Sequence, residues 1–270
     1  MKKIKQYHHH YHFNYQTTVR RHLTALVLVV AITVLLFLCL VFFINPETTF
    51  DLNQISFLNV IKASVNTLTR LTIAYVLSLI FSIPLALVIN NPKREKLLLP
   101  IFDIVQSVPV LAFFPVIVVF FTSHHTFELA AIFILFMSML WNLVFTIIGG
   151  LKTVPEDVES AAHVFNVKGL RKLWYITLPA IFPYIITGSL LAWGQGWSII
   201  IVAEVLHTYI KNGTMSQDLL GLGSLLVNSF TQGKNSVFIL SLSVMIVIIT
   251  FLNFFVWQKL LHVTQRFKFD

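Results

Sequence analysis

Charge is the scarcest commodity in this chain. Asp, Glu, Lys and Arg make up 11% of its 270 residues, only eleven of them acidic, while 57% are hydrophobic and the mean hydropathy is +0.82. A soluble domain of this size has too much water-facing surface for that composition, which excludes it; a multi-pass chain surrounded by lipid has no such constraint. Cysteine is nearly absent: the single Cys39 lies inside an apolar run, so disulfides play no part. No G-x-x-x-x-G-K-[ST] occurs, so the chain has no phosphate-binding loop of its own. No serine sits in a G-x-S-x-G elbow, and none of the ten histidines forms an H-x-x-x-H pair within an apolar span. The carboxylates fall almost entirely between the apolar runs. Catalytic, cofactor-binding and metal-binding residues are therefore not expected, and an enzyme is the disfavoured class.

What is present is a series of six apolar spans, at about 23–44, 63–89, 98–121, 128–150, 178–206 and 236–258. Each is close to or longer than the ~20 residues that cross ~30 Å of hydrocarbon. The expected fold is all-α, a polytopic membrane helix bundle. The chain divides into a basic, His-rich tail (1–22), a transmembrane domain (23–260) and a short tail (261–270). Fifteen of the nineteen Lys and Arg residues sort to one side: five in the first tail, Lys93, Arg94 and Lys96 after the second span, Lys152, Lys168, Arg171 and Lys172 around the fourth and fifth, and Lys259, Arg266 and Lys268 after the sixth. Lys62, Arg70, Lys211 and Lys234 fall on the other side. By the positive-inside rule both termini face the cytoplasm. The net charge of +8 is thus topology and not a nucleic-acid surface.

The first span follows a basic stretch, as a signal peptide would, yet it is longer than a typical apolar core and ends in F-F-I-N-P without a small-residue cleavage site. It reads as an uncleaved anchor. The tract of His8, His9, His10 and His12 has no carboxylate or cysteine beside it and reads as a solvated tail, with metal binding as the alternative.

Residues 159–179, E-S-A-A-H-V-F-N-V-K-G-L-R-K-L-W-Y-I-T-L-P, break the apolar pattern with a polar, basic interruption inside the loop 151–177. Thr153 suits a helix cap and Pro155 a first turn. Glu156, Asp157 and Glu159 favour the positive end of the helix dipole. Ala161 and Ala162 leave room for another protein's backbone, so bulk at either is expected to block docking. Asn166 tolerates the left-handed conformation and marks a stop, with Gly169 opening the next turn. The result is a helix of ~15 Å lying across the cytoplasmic face, a handle that a second protein can grip. An ordinary interhelical loop is the competing reading.

That segment resembles the EAA loop of binding-protein-dependent ABC importer permeases: Ala161-Ala162, position 166, then Ile176 and Leu178-Pro179 fall on its spacing. Ser160 occupies its Glu position, with Glu159 one residue early, and Asn166 occupies its Gly position. The runs at 102–115, 130–142, 151–158 and 192–204 are similar to the nitrate/sulfonate/bicarbonate branch. The resemblance implies a type I permease fold, with a second permease subunit, identical or homologous, completing one pathway. It further implies ATPase subunits that bind ATP and Mg and seat the handle, and a periplasmic or lipid-anchored binding protein that delivers a small solute. Residues Glu159, Ser160, Ala161, Ala162, Asn166 and Gly169 would carry the coupling. A membrane anchor or assembly protein without transport activity is the alternative.

Within the spans, Gly188, Ala192 and Gly196 recur every fourth residue and give a face for close packing. The same register reaches Glu204, ~36 Å from Ala180 and so near the outer interface. It reads either as an interfacial carboxylate or as part of an external gate, while Arg70 is expected to anchor the outer end of span two. Asn142, Gln195 and Ser198 lie deeper and must face protein or water, either bonding neighbouring helices or lining a pathway. Gln106, Pro109 and Pro115 interrupt span three, where a bent helix would border a cavity. Trp193 and Trp197 read as packing anchors. In the outer segment 207–235, Leu219, Leu220, Leu222, Leu225, Leu226 and Phe230 suggest one greasy face of an interfacial helix that Gly221 and Gly223 weaken or bend. A loop reaching into the pathway is the alternative.

Overall fold

The computed structural model describes residues 56–123, 126–210 and 213–265. The expected first span, Cys39, the histidines at 8–12 and the last five residues lie outside these. Every regular element described is helical. Helix α1 spans Phe57–Ile89 and α2 spans Pro92–Ser107. Helices α3 and α4 are Val110–Ser123 and Phe127–Lys152, and α5 is the short Glu156–Val164. Helix α6 runs Gly169–Glu204, α7 Leu222–Thr231 and α8 Asn235–Thr264. Four of these (α1, α4, α6 and α8) are long and apolar enough to cross a membrane, and the α2–α3 pair makes a fifth if it counts as one span.

The third expected span is therefore not one bent helix but two helices crossing at 77°. The cause is local. Val108 precedes Pro109, and the proline ring pushes it into the extended region (φ −76°, ψ 121°), which ends α2. Pro100 and Pro115 sit inside α2 and α3 without ending them. Asn91 caps α2, accepting from the Lys93 amide at 3.1 Å with Pro92 in the first turn.

Helix α4 lies at the centre, packed against both α1 and α6. Its neighbours meet it with small residues. On α1, Ala74, Ser78, Ser82 and Ala86 are fully buried, and the Ser78 hydroxyl donates across to the Phe136 carbonyl of α4 at 3.0 Å. On α6, a Cβ at Gly188 would sit 3.0 Å from the Thr146 Cβ, Ala192 is fully buried, and a Cβ at Gly196 would strike Met139 and Leu71. Lipid offers no hydrophobic drive between helices, so this close approach, with the dispersion contacts it brings, holds them together. The four-residue repeat of α6 has the role its spacing suggests. Trp193 stacks obliquely with Tyr75 and Trp257, ring centroids 5.9 and 6.1 Å away, and Trp197 is buried, so both tryptophans are packing groups.

Two π-helical turns punctuate the long helices, at Leu173–Thr177 in α6 and Asn253–Trp257 in α8. The first directly precedes Pro179, which has no amide to give to the helical ladder, and Leu178 instead bonds the Leu173 carbonyl one residue further back. The helix thus continues through Pro179, and the second half of the polar interruption is the first turns of α6.

Candidate functional site

Two sites stand at opposite ends of the bundle. The first is the handle. Thr153 does not cap it: its hydroxyl bonds the Gly150 carbonyl at 2.9 Å and ends α4, while Pro155 occupies the position before α5. The chain then turns into α5, whose far end is a complete Schellman motif. The Asn166 amide bonds the His163 carbonyl at 3.1 Å and the Val167 amide bonds the Ala162 carbonyl at 2.9 Å. Asn166 itself is left-handed (φ 53°), as the sequence suggests, and Gly169 follows at φ 59°. These two residues let the backbone reverse twice within four positions.

The two alanines differ in exposure. Ala162 is 3% exposed and packs inward, so bulk there disturbs the handle's own seat. Ser160 and Ala161 point outward. Val164 and Phe165 are 81% and 78% exposed, and Leu170 is exposed beside Lys168 and Arg171. Large apolar side chains are thus left exposed along this segment, with cations among their sequence neighbours. At its root the Lys152 ammonium pairs with Glu95 of α2, tying the end of α4 to the neighbouring helix. Residue 159 falls in α5; the direction of its side chain is not described.

The second site joins the other ends of α1, α4 and α6. Glu204 is fully buried at the last residue of α6. Its Oε1 accepts from the Thr67 hydroxyl at 2.7 Å and from Arg70 Nη1 at 2.8 Å, and its Oε2 accepts from the Gly223 amide at 2.8 Å. Arg70, with its side chain 4% exposed, also grips Glu128 through two parallel 2.7 Å bonds from Nε and Nη2. Its Nη1 further donates to the Leu220 carbonyl at 3.1 Å, which Asn66 Nδ2 also reaches at 3.1 Å. The planar guanidinium suits this work because its donors fan out in a fixed fork. Buried charges of this kind persist only when paired and hydrogen-bonded, and here each is. Glu128, at the start of α4, keeps its side chain 58% exposed.

Glu204 is shielded from solvent, with residues 219–223 lying over its carboxylate. Arg70 is a buried ion-pair partner in the first half of α1. The leucines of segment 207–235 do not form one exposed greasy face: Leu219, Leu222 and Leu226 are buried in the core, while Leu220 and Phe230 are exposed. Gly221 and Gly223 do more than bend the turn. A Cβ at Gly221 would occupy the Glu204 carboxylate, and one at Gly223 would lie 2.7 Å from the Ile201 Cα. Only hydrogen fits there.

The other polar candidates do not join this cluster. Gln106 is exposed and bonds Asp103 within α2 at 2.9 Å. Asn142 is half-buried in α4, and its carbonyl accepts from Thr146. Gln195 and Ser198 are exposed on one side of α6, away from the Gly188–Gly196 stripe, with the Ser198 hydroxyl bonded back to the Gly194 carbonyl at 3.1 Å. Thr67, Asn66 and Glu128 went unnoticed in the sequence. Parity carries a signal for Glu128 alone: spans two and four begin, and span five ends, on the same side, so charges at those ends can meet.

The comparisons agree with this architecture. A model of the family described as "binding-protein-dependent transport system inner membrane component" matches residues 74–262. The nitrate import permease protein NrtB of Leptolyngbya laminosa is 29% identical over 176 residues, covering 65% of this chain and 58% of that protein. The bicarbonate transport system permease protein CmpB of Synechococcus elongatus is 27% identical over 179 residues, 66% of this chain and 60% of its own length. The taurine transport system permease protein TauC of Escherichia coli is 28% identical over 151 residues, 56% of this chain and 54% of that protein. The chain spans about three-fifths of the length of the first two relatives. With the family match running through α4, the handle, α6 and most of α8, the chain belongs to the binding-protein-dependent transport system inner membrane components.

Proposed function

We propose that this chain is the membrane-spanning permease subunit of an ATP-driven ABC importer in the bacterial inner membrane. Together with a second permease subunit it forms the translocation pathway, and it couples to separate ATPase subunits through α5. ATP and Mg are bound by those subunits; a binding protein delivers the solute at the opposite face. Both termini and α5 lie in the cytoplasm, and Glu204 and residues 219–223 lie at the outer end. The relatives are permeases for nitrate, bicarbonate and taurine, which supports a small solute of that kind.

The observation that carries this reading is the handle's geometry. A Schellman-terminated helix shows Ser160, Ala161, Val164 and Phe165 to the outside while Ala162 is buried. Closure of the ATPase pair on nucleotide would push α5. The push passes through Lys152–Glu95 and the tightly packed α4–α6 pair toward the far end, ~36 Å away along the 24 residues from Lys152 to Glu128. That is a two-state element biased by a ligand bound elsewhere.

The test compares two bulky substitutions. Ala161→Trp is expected to leave membrane insertion intact and abolish copurification of the ATPase. Ala162→Trp is expected to disturb the handle itself and lower stability as well. Wild-type copurification and uptake in Ala161→Trp contradict the docking role.

A further inference from the structure

We propose that one exposed face of α2 is a binding site for an anionic phospholipid of the membrane leaflet on the handle's side. Helix α2 starts at that end of the bundle. Glu95 pairs with Lys152 at the root of the handle, and further along Phe102 meets Trp141 of α4, ring centroids 5.6 Å apart. The helix therefore climbs α4 from the handle end. Leu98, Leu99 and Phe102 make the side that packs on the core.

A second side carries one line of side chains. Lys93, Leu97, Ile101 and Val105 recur every fourth residue with Ile104 and Val108 beside them, so all six share a face of the helix. All are exposed, Leu97 at 66% and Ile104 at 68%. Arg94, also exposed, stands next to Lys93 at the head of the line. Helical side chains lean toward the N-terminus, so Lys93 and Arg94 reach away from the middle of the bundle, to where headgroup phosphates lie. The apolar part runs from Leu97 to Val108, ~16 Å along the helix, which matches one leaflet of the ~30 Å hydrocarbon. Past Val108 the line ends, because α3 departs at 77°. Asp103, Gln106 and Ser107 fall outside this face and bond to one another.

A line one leaflet deep and headed by cations complements a single phospholipid, with its negative headgroup at Lys93 and Arg94 and its acyl chains along the aliphatic residues. Composition separates this occupant from another helix. Where helices of this bundle meet closely, they do so through small residues, Ala74, Ser78, Ser82 and Ala86 on α1 and Gly188, Ala192 and Gly196 on α6. The α2 line below Lys93 holds only Leu, Ile and Val, which suit acyl chains and keep a second backbone at a distance. Two cations beside an anionic leaflet raise binding on the order of tenfold.

Assigning that leaflet to the cytoplasmic side rests on the proposed orientation, but lipid binding is measured without it. Native mass spectrometry of the full-length chain gives its affinity for dioleoyl phosphatidylglycerol and for dioleoyl phosphatidylcholine. Wild type is expected to prefer phosphatidylglycerol by about tenfold. Lys93→Gln/Arg94→Gln is expected to remove most of that preference, and Lys168→Gln/Arg171→Gln to leave it unchanged. No preference in wild type, or equal loss in both double variants, overturns the site. Dihexanoyl phosphatidylglycerol and inorganic phosphate are expected to compete far more weakly than the dioleoyl lipid; equal competition overturns the acyl-chain line. Benzoylphenylalanine at position 101 in native membranes is expected to crosslink to lipid. An adduct with a second copy of this chain, or with its own residues 23–44, means that protein covers this face and overturns the proposal. Failure to copurify an ATPase contradicts the coupling role alone.

Discussion

Replacing Arg70 by Met gives the sharpest energetic consequence of this fold. The guanidinium is 4% exposed and faces one carboxylate that is 0% exposed and another that is 58% exposed. Removing it strands Glu204 in the interior, and breaking a buried pair in this way costs about 3–5 kcal/mol. Glu204 retains the Thr67 hydroxyl and the Gly223 amide, which places the expected loss near the lower end, about 3 kcal/mol. At about 2–4 °C per kcal/mol for larger domains, melting falls on the order of 10 °C. Glu204→Gln is milder, about 1–2 kcal/mol, because Arg70 still holds Glu128. The double variant Arg70→Met/Glu204→Gln no longer buries a charge, so it is expected to be more stable than the sum of the singles by about 1–3 kcal/mol. Thermal unfolding of the four proteins in one detergent closes the cycle. Strict additivity, or a loss below about 0.5 kcal/mol in Arg70→Met, would refute the buried ion pair.

Other consequences are simpler. Asn166→Gly is expected to be neutral or mildly stabilising, and Asn166→Val to lose about 1–3 kcal/mol because a β-branched residue is strained at φ 53°; equal melting of the two contradicts the left-handed stop. Gly150→Ala pushes a Cβ to within 2.6 Å of the Tyr184 ring and is expected to destabilise by about 1–3 kcal/mol. Its neighbour Gly149 meets nothing within 4 Å, so Gly149→Ala is expected to be neutral or stabilising in the same melting assay. Glu128→Gln is expected to cost under about 1 kcal/mol, since that carboxylate is more than half exposed.

The spans were legible because lipid rewards long apolar runs whatever their tertiary neighbours. Four of the expected spans correspond to α1, α4, α6 and α8, with shifts at the ends where helices extend past the apolar stretch. Hydropathy reports burial in lipid and does not report where the backbone stops being helical: the turn opening at Gly169 was legible from residue chemistry, whereas the extension of α8 to Thr264 was not. The same blindness hid the 77° break: Pro109 was visible, but whether a proline kinks or ends a helix depends on the residue before it and on what packs there. The small-residue register of α6 was readable since it needs only one helix. The Glu204 cluster was not, because its bonds join residues from 19 to 155 positions apart in the chain. Arg70 and Glu204 each stood out alone, and only the fold makes them partners. On the handle, the left-handed Asn166 followed from side-chain chemistry. Which alanine faces inward did not, since one step along a helix turns the side chain by about 100°.

In the proposed cycle, force enters the bundle at α5. The most direct test is photo-crosslinking from a benzoylphenylalanine at Phe165, which is 78% exposed, in native membranes. The predicted result is a single major adduct with a protein that carries a G-x-x-x-x-G-K-[ST] loop, reduced when nucleotide changes the ATPase arrangement. Crosslinks to lipid alone, or back to this chain's own helices, would contradict it.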